Sequence, residues 1–276
     1  MVTILTNKER KIIDKKMSNK KLSQTERNRL SKAIRPKLRE MSQTDSKRIL
    51  EKIDYNPKSI SIENSIIRII KDNVKEVDSI ILYGSAVQTN YHEYNDIDIM
   101  IVTKKKISPE YQKYKKIKEI KDILKTNSII SDIEIISKDN LIKSYKNSPT
   151  LIYELKDHKV IYGKINIPNK IELYNIDLQM KLDWSYVDDN QNSKEIYNAL
   201  RNTFLVRLLL NKIIDNSKLK ESLDNEIGKN LIERLRNNQA SKLDKKIALS
   251  YLKCLLEKTE KEVGNKRWEK IELSNH

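Results

Sequence analysis

The sequence has 276 residues, which is enough for about two compact domains. Hydrophobic residues make up 38% of it, and no run approaches the roughly 20 consecutive apolar residues of a membrane span. The short apolar run at residues 1–5 is followed at once by charged residues, so it lacks the apolar core of a signal peptide. We therefore expect a cytoplasmic protein without a membrane partner.

The positive charge of the chain is unevenly distributed. Residues 1–52 carry 16 Lys and Arg against 6 Asp and Glu, a net charge of +10. Residues 53–168 carry 19 against 16, and residues 169–276 carry 20 against 17. A basic segment of this kind suits a polyanionic partner such as RNA. The alternative is a set of solvated helices that are rich in lysine for compositional reasons alone.

The chain has few cysteine and histidine residues that could act as metal ligands. The single cysteine, Cys254, excludes an internal disulfide framework and a cysteine cluster for zinc. Its surroundings have apolar helical spacing, which predicts a buried thiol. The three histidines, His92, His158 and His276, are scattered along the chain. We therefore expect any metal site to consist of carboxylates.

Two capping boxes open the N-terminal segment, at Thr6–Glu9 and Ser23–Glu26, and each predicts the start of a helix. Pro36 is expected to end or kink the second helix. A third helix is predicted over residues 46–53. Residues 1–54 are therefore predicted to form a basic helical module, with a helix-turn-helix arrangement as one option.

The hydrophobic period changes from helical to strand-like after residue 77, and strands and helices then intermix. This mixture predicts an α/β or α+β domain over residues 55–168. From residue 171 onward helical periodicity dominates, which predicts a helical bundle over residues 169–276. The strands are predicted at residues 78–83, 96–102, 128–136 and 160–162, and the main helices at residues 113–124, 195–214, 219–236 and 241–263.

The motif that points to chemistry lies at the junction of the first two predicted strands. Gly84 and Ser85 follow one strand, and after ten further residues Asp96 and Asp98 occupy the next strand. Side chains on a strand alternate between faces, so the two aspartates are predicted to point the same way while Ile97 points into the core. Two carboxylates are thus predicted to converge.

Such a pair of carboxylates favours a divalent cation, since like charges raise each other's pKa. Mg²⁺ prefers hard oxygen ligands, typically one or two carboxylates together with substrate phosphates. We therefore predict that Asp96 and Asp98 bind two Mg²⁺ ions in a two-metal site for in-line displacement. Gly84 permits close approach of the backbone to the phosphates of an NTP, and Ser85 offers them its N–H and hydroxyl groups.

A third carboxylate is expected from the neighbouring predicted strand. Asp132 and Glu134 have the same parity on that strand. Glu134 is favoured as the base or bridging ligand because, like Asp98, it lies between isoleucines, and Asp132 is the alternative. The predicted catalytic residues are therefore Asp96, Asp98 and Glu134.

Residues 83–86 (Tyr-Gly-Ser-Ala), followed by Asp96-Ile-Asp98, resemble the motif of the DNA polymerase beta-type nucleotidyltransferases. Within that superfamily they are similar to the minimal nucleotidyltransferases and the aminoglycoside adenylyltransferases. Residues 151–163, with their final Tyr-Gly, resemble the end of the catalytic domain of the family. The resemblance covers about residues 60–165. It implies a mixed sheet with helices, binding of an NTP and magnesium, and metal-binding roles for Asp96 and Asp98.

The acceptor stays open, because members of this family modify antibiotics, proteins and RNA ends. The basic residues 1–54 favour RNA, such as a tRNA 3′ end, and a protein acceptor, as in toxin–antitoxin pairs, is the second option. An antibiotic acceptor is disfavoured because the C-terminal part is slightly basic. A further alternative is a nucleic-acid-binding regulator whose fold only senses nucleotides.

Four other residues can contact a nucleotide. Tyr91 and Tyr94 can stack on a base, although a surface or core role is favoured for them. Arg201 and Arg207 can face the triphosphate from a C-terminal helix, although exposure to solvent is favoured.

Overall fold

The computed structural model divides into two compact units, Met1–Tyr55 and Asn56–His276. None of its described helices is long and apolar enough to cross a membrane. The three-domain division at residues 54/55 and 168/169 stays a prediction. The described residues are 5–17, 22–38, 56–92, 94–168, 170–188, 190–264 and 270–274.

The first unit contains helices α1 (Asn7–Met17) and α2 (Gln24–Arg29), and α2 continues into a π-helical turn at Leu30–Ile34. Both predicted capping boxes are formed. The Thr6 N–H donates to Glu9 Oε2 at 2.7 Å, and the Glu9 N–H donates to Thr6 Oγ1 at 3.3 Å. The Ser23 and Glu26 pair makes the same two contacts, at 2.8 and 3.2 Å.

The helix that contains Pro36 does not end at this residue, since helical structure continues to residue 38. The π-helical turn Leu30–Ile34 ends two residues before Pro36. Proline has no N–H and its ring clashes with the carbonyl four residues earlier, so a widened turn accommodates it. The helix predicted over residues 46–53 lies outside the described residues.

A mixed four-stranded sheet forms the centre of the second unit, in the order β3-β2-β1-β4. Strand β2 pairs in parallel with β3, whereas β1 pairs antiparallel with both β2 and β4. The predicted mixed sheet is therefore confirmed. The strands are β1 (Val77–Tyr83), β2 (Ile97–Thr103), β3 (Ser131–Ser137) and β4 (Lys159–Gly163).

Each face of this sheet contributes to a different hydrophobic core. Ile80, Ile97 and Ile99 belong to a core that includes residues of α3 (Pro57–Asn73) and α5 (Glu110–Thr126). On the other face, Ile81, Met100 and Val102 join the core of the C-terminal helices. Since Asp98 alternates with Ile97 and Ile99, it lies on the face that the C-terminal helices cover. The remaining helices around the sheet are α4 (Gly84–Gln88), α6 (Lys138–Tyr145) and α7 (Pro149–Glu154).

The C-terminal part is helical, as predicted, but it also contains a pair of strands that was not predicted. β5 (Lys170–Tyr174) pairs antiparallel with β6 (Lys270–Ser274). The buried thiol predicted for Cys254 is wrong, because this residue is exposed. The C-terminal helices are α8 (Asn175–Asp183), α9 (Ser193–Leu210), α10 (Asn216–Leu223), α11 (Lys229–Arg236) and α12 (Lys242–Gly264), and a π-helical turn (Asp224–Gly228) joins α10 to α11.

Candidate active site

The turn after β1 lies directly against the carboxylate of Asp98. Tyr83, the last residue of β1, is paired with Asp98 on β2, and Gly84 follows with φ +72°. A Cβ atom on Gly84 would lie 1.9 Å from Asp98 Oδ2. Glycine is required here both for its backbone conformation and for its missing side chain. The structure therefore places the predicted glycine turn directly beside the predicted carboxylate.

Asp96 and Asp98 are close enough for their charges to interact. The prediction that both aspartates lie on β2 is wrong for Asp96, because the strand begins at Ile97 and Asp96 lies just before it. The pKa of Asp98 is raised to about 6, mainly by burial and also by the charges of Asp96 and Asp132, with Arg201 opposing the rise. The convergence of these carboxylates makes a negatively charged Asp98 unfavourable, and a cation would relieve that cost.

Asp132 and Glu134, the two candidates for the third carboxylate, differ in their surroundings. Asp132 is paired with Asp98 in the sheet, but its side chain is 65% exposed and accepts a hydrogen bond from Lys121 Nζ at 2.5 Å. Glu134 is half-buried, and burial raises its pKa, against the effect of Lys113. An unbridged, half-buried carboxylate is the better candidate for proton transfer.

Glu154 is a further acidic residue of the site that the sequence did not reveal. It is the last residue of α7 and is half-buried. Its pKa is raised to about 7, mainly by burial and also by the charges of Glu134 and Asp98, with Arg201 and Lys181 opposing the rise. No motif marks Glu154, because its burial depends on helices that lie far away in the sequence.

Two cations from the C-terminal helices face these acids. Arg201 on α9 is half-buried and lowers the pKa of Asp98 and Glu154, so the exposure expected for this arginine is wrong. Lys181 on α8 has its pKa lowered by burial and by Arg201. Within the described part of the chain, neither cation has an ion-pair partner within 4.0 Å. Both are therefore available to an anionic ligand.

The carboxylates beside Gly84 are the kind of ligand that Mg²⁺ prefers. Among the described residues, no group of three or more His, Cys, Asp or Glu side chains is arranged so that it could hold a metal ion. Asp96 and Asp98 nevertheless provide hard carboxylate oxygens, and the bare backbone of Gly84 forms a cradle beside Asp98. Magnesium commonly uses one or two carboxylates and takes its other ligands from phosphates and water.

Residues 64–165 match the family model described as Polymerase beta, Nucleotidyltransferase. The matched residues run from α3 to the residues just after β4 and include every predicted site residue. The fold and the match together define the class of this domain: residues 64–165 form a nucleotidyltransferase domain of the polymerase beta type. Among curated proteins no sequence matches.

Solved structures of nucleotidyltransferases are similar to this chain at low identity. A tri-AMPylated HEPN toxin of Shewanella oneidensis in complex with MNT antitoxin shares 21% identity, with 38% of this chain and 73% of that chain covered and a TM-score of 0.27. A toxin–antitoxin structure with AMP-PNP shares 22% identity, covering 37% and 73%, with a TM-score of 0.28. Spectinomycin adenyltransferase AAD(9) from Enterococcus faecialis, with ATP and spectinomycin, shares 16% identity, covering 74% and 100%, with a TM-score of 0.48.

Proposed function

We propose that this protein is a magnesium-dependent nucleotidyltransferase that transfers a nucleoside monophosphate from an NTP to an acceptor hydroxyl. The observation that carries the proposal is the packing of the Asp98 carboxylate against Gly84, with Asp96 beside it, in a domain that matches the polymerase beta family. This arrangement suits a site in which phosphates and carboxylates share cations.

In this proposal Asp96 and Asp98 hold two Mg²⁺ ions, and Glu134 acts as the third carboxylate, with Asp132 as the alternative. When bound, the ions neutralise phosphate charge and make the acceptor hydroxyl more acidic. The raised pKa of Glu134 supports its role as the base that takes the hydroxyl proton.

The other residues of the site hold the NTP. Gly84 and Ser85 contact its phosphates through backbone and hydroxyl groups. Arg201 and Lys181 face the same carboxylates from the C-terminal helices and neutralise the triphosphate. The acceptor oxygen bonds to the α-phosphorus, the bond between this phosphorus and the β-phosphate oxygen breaks, and pyrophosphate leaves. Positioning and charge neutralisation supply most of the rate, as in other phosphoryl-type transfers.

RNA, such as a tRNA 3′ end, is the proposed acceptor, and a protein acceptor of the kind found in toxin–antitoxin pairs is the second candidate. The first unit supports RNA because Lys11, Lys16 and Lys32 are exposed on its helices. A cytoplasmic location is part of the proposal, since NTP and RNA are available there.

Label transfer tests this function. The protein is incubated with each α-labelled NTP, Mg²⁺ and total RNA or cell lysate, and the product is sized before and after RNase and protease. We expect Asp98→Asn to abolish labelling, whereas Asp122→Asn, at an exposed position of α5, leaves it unchanged. Equal labelling by both variants contradicts the proposal. Nucleic acid binding without any labelling would instead indicate a regulator.

A further inference from the structure

Three hydrogen bonds join the end of α7 to the segment that leads from α9 into α10. The Tyr153 hydroxyl donates to Ile213 O at 2.7 Å. The Asn216 side-chain amide donates to Tyr153 O at 2.9 Å and to Asp157 Oδ2 at 3.1 Å. The bonded residues are 59 to 63 positions apart in the sequence. We call these four residues the α7 junction, since they link the nucleotidyltransferase domain to the C-terminal helices.

The α7 junction provides partners for backbone groups at a helix end. The last carbonyls of an α-helix have no N–H donor within the helix, and Tyr153 O is one of them. The Asn216 amide has two N–H groups and uses both, one for this carbonyl and one for Asp157. Asn216 is itself held in place, because it is the first residue of α10 and Asp215 caps that helix. The junction therefore connects two fixed helix ends.

The hydrogen bonds of the α7 junction define the register between α7 and α9 more sharply than apolar packing does. Leu151 and Ile152 of α7 belong to the same hydrophobic core as Leu200 and Phe204 of α9. Apolar contacts are non-directional, so they tolerate small shifts of one helix along another. Hydrogen bonds require both a distance and an angle, and they therefore fix one register. Tyr153 is only 1% exposed, so its hydrogen bond is shielded from water.

The α7 junction lies directly beside the candidate site. The carbonyl of Tyr153 belongs to the same planar peptide group as the N–H of Glu154, so holding this carbonyl also holds the backbone of Glu154. Arg201 on α9 lowers the pKa of both Glu154 and Asp98, and it therefore lies near both carboxylates. The junction thus connects the helix that carries Glu154 to the segment that follows the helix carrying Arg201.

We propose that Asn216 and Tyr153 are positioning residues for the NTP. They hold Glu154 and Arg201 in one arrangement, so that Arg201 faces the same triphosphate as the carboxylates of the sheet. A displacement of about 1 Å is enough to weaken a site that depends on such an arrangement. This inference rests on the proposed function, because it concerns the contact between Arg201 and the NTP.

Steady-state kinetics in the label-transfer assay tests this role. Asn216→Ala removes two hydrogen bonds, and we expect the KM for NTP to rise about five- to tenfold while kcat changes less than about twofold. Tyr153→Phe removes one hydrogen bond and should raise the same KM about two- to fivefold. A purely structural role would instead lower the folded fraction, and hence the apparent kcat, at an unchanged KM.

Matched controls remove hydrogen bonds that do not reach α7. Asn211 is exposed and donates to Arg207 O within its own helix at 2.8 Å. The Tyr251 hydroxyl donates to Glu226 Oε2 at 2.6 Å. We expect Asn211→Ala and Tyr251→Phe to keep the wild-type KM for NTP. Equal KM values for the junction variants and these controls overturn the proposal.

A double-mutant cycle shows whether Asn216 acts through Arg201. In an Arg201→Met background, Asn216→Ala should raise the KM for NTP less than about twofold, because the cation that Asn216 positions is already absent. If the two substitutions instead multiply their full effects on the KM, the residues act independently and the proposal is wrong.

Direct binding separates this inference from the proposed function. The α,β-methylene analogue of each NTP binds without transfer, and equilibrium dialysis with Mg²⁺ measures its affinity. If no label is transferred but Asn216→Ala weakens analogue binding relative to Asn211→Ala, the positioning role stands and the transferase fails. If label is transferred and both variants bind the analogues equally, the positioning role is wrong while the transferase stands.

Two further outcomes complete the test. Absence of analogue binding by the wild type overturns the positioning role, because there is then no NTP site to arrange. Thermal unfolding checks that each variant is folded at the assay temperature. If Asn216→Ala is not folded, Tyr153→Phe decides the question against its control Tyr251→Phe.

Discussion

Gly84 and Gly228 both have positive φ values, +72° and +93°, but only one of them touches a functional group. A Cβ atom on Gly84 would collide with Asp98, whereas one on Gly228 would meet nothing within 4 Å. Substitutions at these two glycines therefore separate the effect of backbone strain from the effect of crowding the Asp98 carboxylate. The sequence placed Gly84 beside an aspartate through its motif, but the direct contact depends on the β1–β2 register.

Replacement of Gly84 by alanine is expected to affect both stability and activity. Gly84→Ala should lower the free energy of unfolding by about 1–3 kcal/mol more than Gly228→Ala, because overpacking adds to the backbone strain. It should also abolish label transfer, since Asp98 must move away. Urea unfolding and transfer assays on the two variants check this. Equal behaviour of the two alanine variants would show that the contact with Asp98 is unimportant.

Glu154 makes the stability of the metal-free protein dependent on pH. Its folded pKa of about 7 lies above the usual value of glutamate. The protonated carboxyl therefore contributes stability that is present below the usual pKa and is lost as the pH rises through 7. Asp98 and Glu134 disfavour its charged form, while Arg201 and Lys181 favour it.

Glu154→Gln keeps this side chain neutral at every pH. We expect the variant to be roughly 2–3 kcal/mol more stable than the wild type at pH 8 and to lose most of this advantage at pH 5. Denaturant unfolding in EDTA at both pH values measures it. Glu257→Gln, at an exposed position of α12, is the control. A constant difference between pH 5 and pH 8 would contradict the assignment.

At the scale of elements, the sequence predicted those parts of the fold whose pattern is local. The strand around Ile99 follows from period-two alternation, the strand around Ile80 from an apolar run that stops at Gly84, and α5 from its helical apolar spacing. β5 and β6 were missed because each has only five residues and its partner lies about 100 positions away in the chain. The prediction that Cys254 is buried was wrong because its neighbours in the sequence are apolar, whereas its own side chain lies on the exposed face of α12.

Helix α9 carries two arginines that test whether a positive charge near the candidate site binds the NTP. Arg201 lies near Asp98 and Glu154, whereas Arg207, on the same helix, lies near Tyr251. Arg201→Met should raise the KM for NTP about tenfold or more, because a half-buried cation that faces the triphosphate is lost. Arg207→Met should leave the KM near the wild-type value. Titration of NTP in the transfer assay distinguishes them, and equal KM values would exclude Arg201 from the NTP site.

At the scale of the whole molecule, the chain combines a small basic unit with a larger one that contains the nucleotidyltransferase domain. The sequence located the domain because its motif joins a glycine turn to two aspartates at fixed spacing. It could not reveal Glu154 or Lys181, because the surroundings of both residues depend on how distant helices pack around the sheet.

The basic unit is expected to make RNA binding dependent on salt. Replacing Lys11, Lys16 and Lys32 together with Gln should reduce the slope of log K against log salt by up to about 0.7 for each phosphate contact that is lost. The control replaces Lys115, Lys118 and Lys125 of α5, which are also exposed. Fluorescence anisotropy at several salt concentrations measures both slopes. Identical slopes would remove the first unit from the RNA-binding surface.

We propose that Asp96 and Asp98, beside Gly84, form the site at which a nucleoside monophosphate is transferred. Parallel reactions with α-labelled and γ-labelled NTP test it most directly, with wild type, Asp98→Asn and Asp122→Asn. We expect that only the α label enters the acceptor, that one pyrophosphate is released for each transfer, and that only Asp98→Asn loses both label transfer and pyrophosphate release. Transfer of the γ label, or full activity of Asp98→Asn, would contradict it.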